Sequence, residues 1–488
     1  MKITVRVQVD AAETGAVPAE DEGEATEQFS EVFILERDQL TEASVGLSLA
    51  EAHALLASIQ EAVVCAQVTA ALAEQRCCAR CGRAHRRKDT RTITVRTLFG
   101  TLHPDSPRFL ACPCRADAPE APATFSPLAA ILAGRSTSEL VYLQARFAAV
   151  MSFDLAGHLL GEVLPLGRAL HGSAVRDQVT AVARRLEGEL GPEQSMFAQG
   201  CQRDFDQLPR PDLPLTVGLD GGYVHSSAQT SRRDGWFEVI AGKSMPDEGP
   251  AKCFAFVQTI DTKPKRRLFE VLRGQGMQAN QSVVFLTDGG EDIRDVPLYL
   301  NPHSEHLLDW FHVTMRITVM TNMAKSLRSP PPDPDLPPAL PVDFAAEVGK
   351  QLTRLKWFLW HGNVFRALQI IADLIFDLDV GEPSDCQLKL GKAVLEFDSY
   401  IRANTDRLPN YGERRRAGET ISTSFVESTV NQVVSKRMVK KQQMRWSPQG
   451  AHLFLQVRTR VLNNDLAADF ARWNPGFTHH SEPAELAA

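Results

Sequence analysis

The 488-residue chain has no run of apolar residues approaching the roughly 20 needed to cross a bilayer. Its first residues, "MKITVRVQVDAAETG", lack the long apolar core of a secretion signal. On these two absences no membrane partner is expected, and the cytoplasm is the expected compartment. A strongly basic balance is missing too: 53 Lys plus Arg stand against 60 Asp plus Glu, for a net charge of -7. Net charge alone argues against a nucleic-acid partner, but the acidity is concentrated at one end. Residues 1–74 hold 14 acidic and 3 basic side chains, which leaves 46 acidic and 50 basic, a net +4, for the remainder. Basic clusters stand at 80–88 ("RCGRAHRRK"), 413–418 ("ERRRAG") and 435–446 ("SKRMVKKQQMRW"). Clusters of this kind are usually solvated faces, so alone they do not establish DNA binding. Residues 10–31 are almost free of large apolar side chains and read as a linker or arm.

What is present is enough to fold: 43% of residues are hydrophobic and 23% charged. The length implies roughly three or four units. Ser48 lies three residues before Glu51, a capping-box signature, and Leu55, Leu56, Ile59 and Val63 follow at helical spacing, so 48–75 reads as a packing or dimerisation helix. Nine cysteines in a chain expected in the cytoplasm read as thiols or metal ligands rather than disulfides. "CARC" supplies Cys78 and Cys81, and "CPC" supplies Cys112 and Cys114. The strand-like segment between them can return the second pair beside the first, the layout of a zinc ribbon. Cys77 is an alternative to Cys78, and His85 and His103 are spare candidates. With four protein ligands such a Zn²⁺ is structural, because no position stays open for substrate.

Residues 126–190 read as helical. A helix to about Leu164, a turn with Pro165 and Gly167, and a second helix after Gly172 form a helix-turn-helix pattern. The second helix sets Arg176, Arg184 and Arg185 around Val175, Val179 and Val182. From 213 to 309 the texture turns to strands, "LPLTVGLD", "WFEVIAG", "CFAFVQTID" and "SVVFLTD", with a charged helix before the last. That order opens an RNase H-like α/β fold, among other α/β domains. A mostly helical region runs from Trp310 to about Leu408, broken by the proline-rich 329–341, which reads as loop.

Two of these strands are expected to end on an acid followed by Gly-Gly: Asp220 in "VGLDGG" and Asp288 in "FLTDGG". Either one alone reads as a turn. Together, on strands that lie side by side in an RNase H-like sheet, two carboxylates repel unless protonated or bridged by a cation, and hard oxygen ligands suit Mg²⁺. A third acid from a helix is expected from among Glu291, Asp292, Asp309 and Glu427. Glu427 has a competing role in a second capping-box pattern with Ser424, yet its helical face continues to Asn431, Met438 and Lys441, where basic residues cluster.

From Cys77 to Leu462 the chain resembles bacterial insertion-sequence transposases of the DDE superfamily, most closely the Kra type. "CCARCG", "TITVRTLFGTLHPDSPRF", "CPC", "FSPLAAIL", "EVLPLGRALHGSAVR", "VGLDGG", "FLTDGG", "DWFHV", "ESTVNQVVSKRM" and "MRWSPQGA" carry the resemblance. It implies an RNase H-like catalytic core with a helical insertion, preceded by a zinc ribbon and a helix-turn-helix region. It also implies a catalytic triad of Asp220, Asp288 and Glu427 on two Mg²⁺ ions about 3.5 to 4 Å apart. Asp309 and His312 in "DWFH" match a D-x-x-H signature that orders the active site or DNA strand. Arg176, Arg184, Arg185, Lys436, Arg437, Lys440 and Lys441 are the expected DNA contacts. The implied activity is cleavage and strand transfer of double-stranded DNA at terminal inverted repeats, by a homodimer or larger assembly at the bacterial nucleoid. An inactive DNA-binding regulator and a metal-dependent structure-specific nuclease are the rival readings. The expected segments are an arm and helix (1–75), a zinc ribbon (76–125), a helix-turn-helix region (126–200), the first part of the core (210–310), an insertion (311–410), the Glu427 part of the core (411–465) and a tail (466–488).

Overall fold

The computed structural model describes residues 1–8, 30–42, 44–115, 123–167, 170–193, 207–209, 215–228, 235–246, 249–278, 280–290, 304–328, 343–379, 383–422, 424–440 and 444–478. Most of the acidic arm, the proline-rich 329–341, Glu291, Asp292 and Lys441 lie outside the described residues. The chain is mixed α/β and divides into two compact units, Met1–Val182 with Asn464–Ala488, and Ala183–Asn463.

In the first unit, β1 (Lys2–Val7) and β2 (Ser30–Glu36) pair antiparallel. Arg37, one residue past β2, donates to both carboxylate oxygens of Glu51 at 2.7 and 2.6 Å. Glu51 also closes the capping box with Ser48 that opens α1 (Leu49–Glu74). The expectation of no long apolar run needs correction here. Helix α1 contains an 18-residue stretch of mean hydropathy 1.6, and by length and composition it is long and apolar enough to cross a membrane. Its many alanines raise that average between Gln60, Glu61 and Gln67, and its Val68 and Leu72 pack on Ile93, Val95 and Leu128.

The cysteine-bearing segment folds as a three-stranded sheet of β3 (Arg87–Thr92), β6 (Asp105–Leu110) and β7 (Thr124–Phe125), with β4 (Val95–Thr97) and β5 (Gly100–Leu102) as a separate hairpin. Helices α2 (Pro127–Ile131), α3 (Ser138–Val150), α4 (Phe153–Val163) and α5 (Gly172–Glu189) follow. Ser126 and Ser152 cap α2 and α4. Gly157 on α4 lets the connection come close, since a Cβ there would lie 2.2 Å from the Leu170 carbonyl oxygen. The division between the two units falls inside α5, between Val182 and Ala183.

The second unit is built on a five-stranded sheet of β8 (Leu215–His225), β9 (Trp236–Met245), β10 (Lys252–Phe256), β11 (Val283–Thr287) and β12 (Glu305–Leu308), in the order β10-β9-β8-β11-β12. The β8, β9 and β10 pairs are antiparallel; β11 runs parallel to both β8 and β12. "VVFLT" of β11 is buried throughout, as befits a strand covered on both faces. Val283 and Phe285 join Leu215, Val217 and Leu219 under α6 (Pro264–Gly274), which contributes Leu268 and Leu272. Val284 and Leu286 face the other way with Leu307.

Past β12, α7 (Trp310–Ala324), α8 (Phe344–Trp360), α9 (Val364–Leu378) and α10 (Asp385–Ala403) form a helical cluster around Leu352, Leu355, Ile371, Leu374 and Leu390, each fully buried. α11 (Tyr411–Arg416) ties this cluster to the sheet, where the Tyr411 hydroxyl donates to the Leu308 carbonyl at 2.8 Å. α12 (Ser424–Val430) continues as a π-helical stretch, Asn431–Val439, and α13 (Pro448–Leu462) closes the unit. Arg458 of α13 donates to the Gln432 and Val433 carbonyls of this stretch. The chain then returns to the first unit. The expected tail forms α14 (Leu466–Trp473), whose Phe470 meets Tyr142 edge-on at 5.4 Å.

Candidate active site and cysteine centre

The paired acids follow from strand register. β8 and β11 are matched as far as Leu286 opposite Gly218, and Asp220 and Asp288 each follow that pair by two residues, near enough for Asp288 to act on the Asp220 carboxyl. Strand alternation puts Gly218, Asp220 and Gly222 on one face of β8. A Cβ on Gly218 would lie 2.1 Å from Val426 Cγ2, and one on Gly222 would lie 2.9 Å from Val430 Cγ1. Helix α12 therefore lies directly on the backbone on either side of Asp220.

Asp220 does not close its strand, contrary to the sequence reading. β8 runs on through Gly221 and Gly222 to His225, paired with β9 all the way. It is β11 that stops, at Thr287, and the exposed flank of β8 begins where Asp220 stands. After Asp288 the chain does turn. Gly289 has φ +88° and no room for a Cβ, which would sit 2.8 Å from both Asn404 Nδ2 and Leu308 Cδ1. The Asp288 carboxylate accepts the Gly290 N–H at 3.0 Å. Thr287, fully buried, accepts from Gly289 N–H at 3.1 Å and meets His306 Nε2 at 2.7 Å.

Asp309 follows β12 in the same row of strand ends. It is fully buried, its N–H donates to Thr287 O at 2.8 Å, and its carboxylate caps α7 by accepting the Phe311 N–H at 2.9 Å. Its Oδ2 lies 3.6 Å from His312 Nε2, one turn into the helix. Burial pushes the Asp220 carboxyl above its ordinary range. The Gly221 N–H and His312 oppose that shift, while Asp288 and Asp309 add to it. A cation held here would remove the repulsion.

Glu427 is exposed on α12, one residue beyond the Val426 that meets Gly218. Among the described residues, the sets of three or more ligand side chains within 4.8 Å of one another are the four cysteines and Glu187, Asp261 and His452. Asp220, Asp288 and Glu427 do not form so tight a set. The expected helical face from Glu427 to Met438 is also corrected: Met438 is fully buried while Glu427 is exposed, because the π-helical stretch shifts the repeat between them.

A second correction concerns Arg437. It is 1% exposed, enclosed by the rings of Phe454 at 4.7 Å and Trp446 at 5.6 Å, so its guanidinium belongs to the interior and not to a DNA-facing surface. Burial, reinforced by Arg458, lowers its pKa to about 9. Lys436, Lys440, Arg176, Arg184 and Arg185 are exposed. The buried stripe on α5 is Val175, Val179 and Val182, as read from the sequence.

In the first unit, Cys78, Cys81, Cys112 and Cys114 bring their sulfurs together, with Cys78 to Cys114 at 3.6 Å and Cys81 to Cys112 at 3.5 Å. Four sulfurs at about 2.3 Å from a zinc ion stand roughly 3.8 Å apart at the corners of a tetrahedron, so the set fits a metal such as zinc. The N–H groups of Arg80 and Cys81 hold Cys78 down at about 6, whereas the crowding of Cys112 and burial push Cys114 up to about 12. Four adjacent thiols cannot all ionise without a cation among them. The alternatives fall elsewhere: Cys77 is exposed and outside the set, His85 packs on Phe109 and Phe125, and His103 meets Thr94.

Sequence reasoning missed a buried ion cluster. Arg267 on α6 reaches Asp261 at 2.8 Å, Glu187 at 2.7 Å and Gln456 at 2.7 Å, with His452 Nε2 3.5 Å from Glu187. Its signal was an arginine on the face that Leu268 and Leu272 bury. The guanidinium occupies the middle of these ligands and acts as their cation.

No protein-family model matches the chain, and no curated protein matches it.

Proposed function

We propose that the chain is a DNA transposase of the DDE type, whose second unit is an RNase H-like core. The observation that carries this reading is the pair Asp220 and Asp288, one on β8 and the other directly after the adjacent parallel β11 of a β10-β9-β8-β11-β12 sheet, close enough for Asp288 to act on the Asp220 carboxyl. The motifs "VGLDGG", "FLTDGG" and "DWFH" support it by resemblance, and so does the helical cluster between Asp288 and Glu427.

Asp220 and Asp288 would hold divalent cations, with Glu427 completing the set as α12 meets a bound strand. A Mg²⁺ held there would supply positive charge for activating water or a 3′ hydroxyl and for stabilising the departing oxygen. The chain's own residues set this up. Gly218 and Gly222 let α12 lie on the sheet beside Asp220. Asp309 anchors the start of α7 and holds His312 beside Asp220. The exposed Arg176, Arg184, Arg185, Lys436 and Lys440 supply phosphate contacts, which position DNA without reading its sequence. The four cysteines bind a structural Zn²⁺ that keeps its segment folded. Joining two DNA ends calls for a dimer or larger assembly.

The test is cleavage of a labelled duplex carrying the gene's own flanking sequences, in Mg²⁺ or EDTA, by wild type and Asp288→Ala. Mg²⁺-dependent nicks at the repeat ends that vanish in the variant support the reading. DNA bound but not cut under Mg²⁺ or Mn²⁺ overturns it in favour of a DNA-binding regulator.

A further inference from the structure

The face of α7 that leads away from the acids continues past His312. Asp309, His312 and Arg316 follow at spacings of three and four, which places them on one stripe, while Val313, Ile317 and Met320 form the buried stripe beside it. Arg316 is exposed, and its guanidinium lies over the ring of Tyr400 at 4.3 Å. One turn later on α10, Asn404 returns its side-chain amide to the Tyr400 carbonyl at 3.0 Å and forms the wall against Gly289, the residue after Asp288. Ring, guanidinium and carboxylates therefore border the same space, and both Asp288 and Asp309 act electrostatically on the Tyr400 hydroxyl. Burial raises the pKa of that hydroxyl, and Arg316 beside it opposes the shift by its charge and a hydrogen bond.

We propose that Arg316, held over the ring of Tyr400, is the clamp for a phosphodiester of the DNA strand next to the one attacked. The inference rests on the transposase reading. A cluster of carboxylates repels a polyanion, so a strand that enters needs a cation at its margin. A guanidinium suits this place because its planar fork matches two phosphate oxygens while its face stays on the aromatic ring. Asp288 and Asp309 follow the ends of β11 and β12, and the exposed guanidinium of Arg316 keeps N–H donors for the backbone of the ligand beyond its contact with Tyr400. Tyr400 acts as a positioning residue by holding that plane.

The experiment uses the full chain and a duplex with the gene's own flanking sequences. Binding is measured by fluorescence anisotropy in Ca²⁺ across a salt series, and cleavage in Mg²⁺. Arg316→Ala is expected to weaken binding about tenfold. It should also lower the slope of log affinity against log salt by about one. Arg316→Lys keeps the charge without the fork and should recover the salt slope but only part of the affinity. A scan of neutral methylphosphonates, one phosphate at a time, should find a position next to the cleaved bond that weakens wild type and leaves Arg316→Ala unaffected. Tyr400→Leu, which removes the ring, should mimic Arg316→Ala in affinity with the salt slope partly kept. Unchanged affinity and salt slope in Arg316→Ala, with a wild type that cuts in Mg²⁺, overturns the clamp alone. A wild type that binds but never cuts overturns the transposase reading, and the methylphosphonate scan then still decides whether Arg316 meets a phosphate.

Discussion

Gly218→Ala tests whether the sheet and α12 are joined as tightly as the backbone implies. The added Cβ would lie 2.1 Å from Val426 Cγ2 and about 3 Å from two carbons of the Phe425 ring. Side-chain carbons do not approach closer than about 3 Å, so α12 must retreat by about 1 Å or Val426 must leave its rotamer. Overpacking of that order costs about 1 to 3 kcal/mol. Because Val426 precedes Glu427, the same retreat carries the proposed third acid away from Asp220. A 1 Å misplacement can cost about a hundredfold in rate. The expected result in urea denaturation is a lower midpoint at an unchanged slope, with cleavage reduced far more than DNA binding. Val426→Ala removes the clashing methyl, so the double variant should regain part of both losses, a non-additive coupling that independent sites would not give. If Gly218→Ala loses less than about 0.5 kcal/mol and cuts at the wild-type rate, the close contact is wrong, and α12 does not rest on β8 beside Asp220.

Removing one sulfur from the cysteine centre, Cys112→Ser, should abolish stoichiometric zinc and destabilise the β3-β6-β7 sheet; metal analysis of the purified protein checks both, and a wild type without zinc refutes the assignment. Arg267→Ala leaves the buried Asp261 side chain and the half-buried Glu187 without their cation and should cost about 3 to 5 kcal/mol, measured by denaturation. The same cluster predicts a pH effect. Burial raises the Glu187 pKa, but His452 and Arg267 outweigh it and hold the carboxyl at about 2 against an ordinary 4.5. Its stabilising contribution is then complete above about 4.5 and is lost as pH falls towards 2. A Glu187→Gln variant should show a shallower acid transition than wild type over that range.

The local elements were legible because they depend on neighbours in sequence. Ser48 and Glu51 announce the start of α1 through a three-residue spacing, and the capping box is there. The unbroken apolar run of Val283–Thr287 marks a strand buried on both faces, and the cysteine spacings bring four sulfurs within reach of one another. The helical repeat of Val175, Val179 and Val182 likewise gave the buried side of α5.

The failures have equally physical causes. "SKRMVKK" looks like a basic surface, yet the interior aromatic rings of Trp446 and Phe454 enclose Arg437, and a π-helical turn changes which residues share a face with Glu427. Periodicity assumes 3.6 residues per turn and cannot reveal a place where the helix widens. The sequence by itself determined which residues are acids, thiols and glycines and which local elements carry them. Only the tertiary structure decided that β11 pairs with β8 in the register that brings Asp288 near Asp220, that Gly289 yields to Asn404, and that Arg267 lies among Glu187, Asp261 and His452. Those outcomes depend on register and close approach between segments far apart in the chain, and no spacing along it encodes them directly.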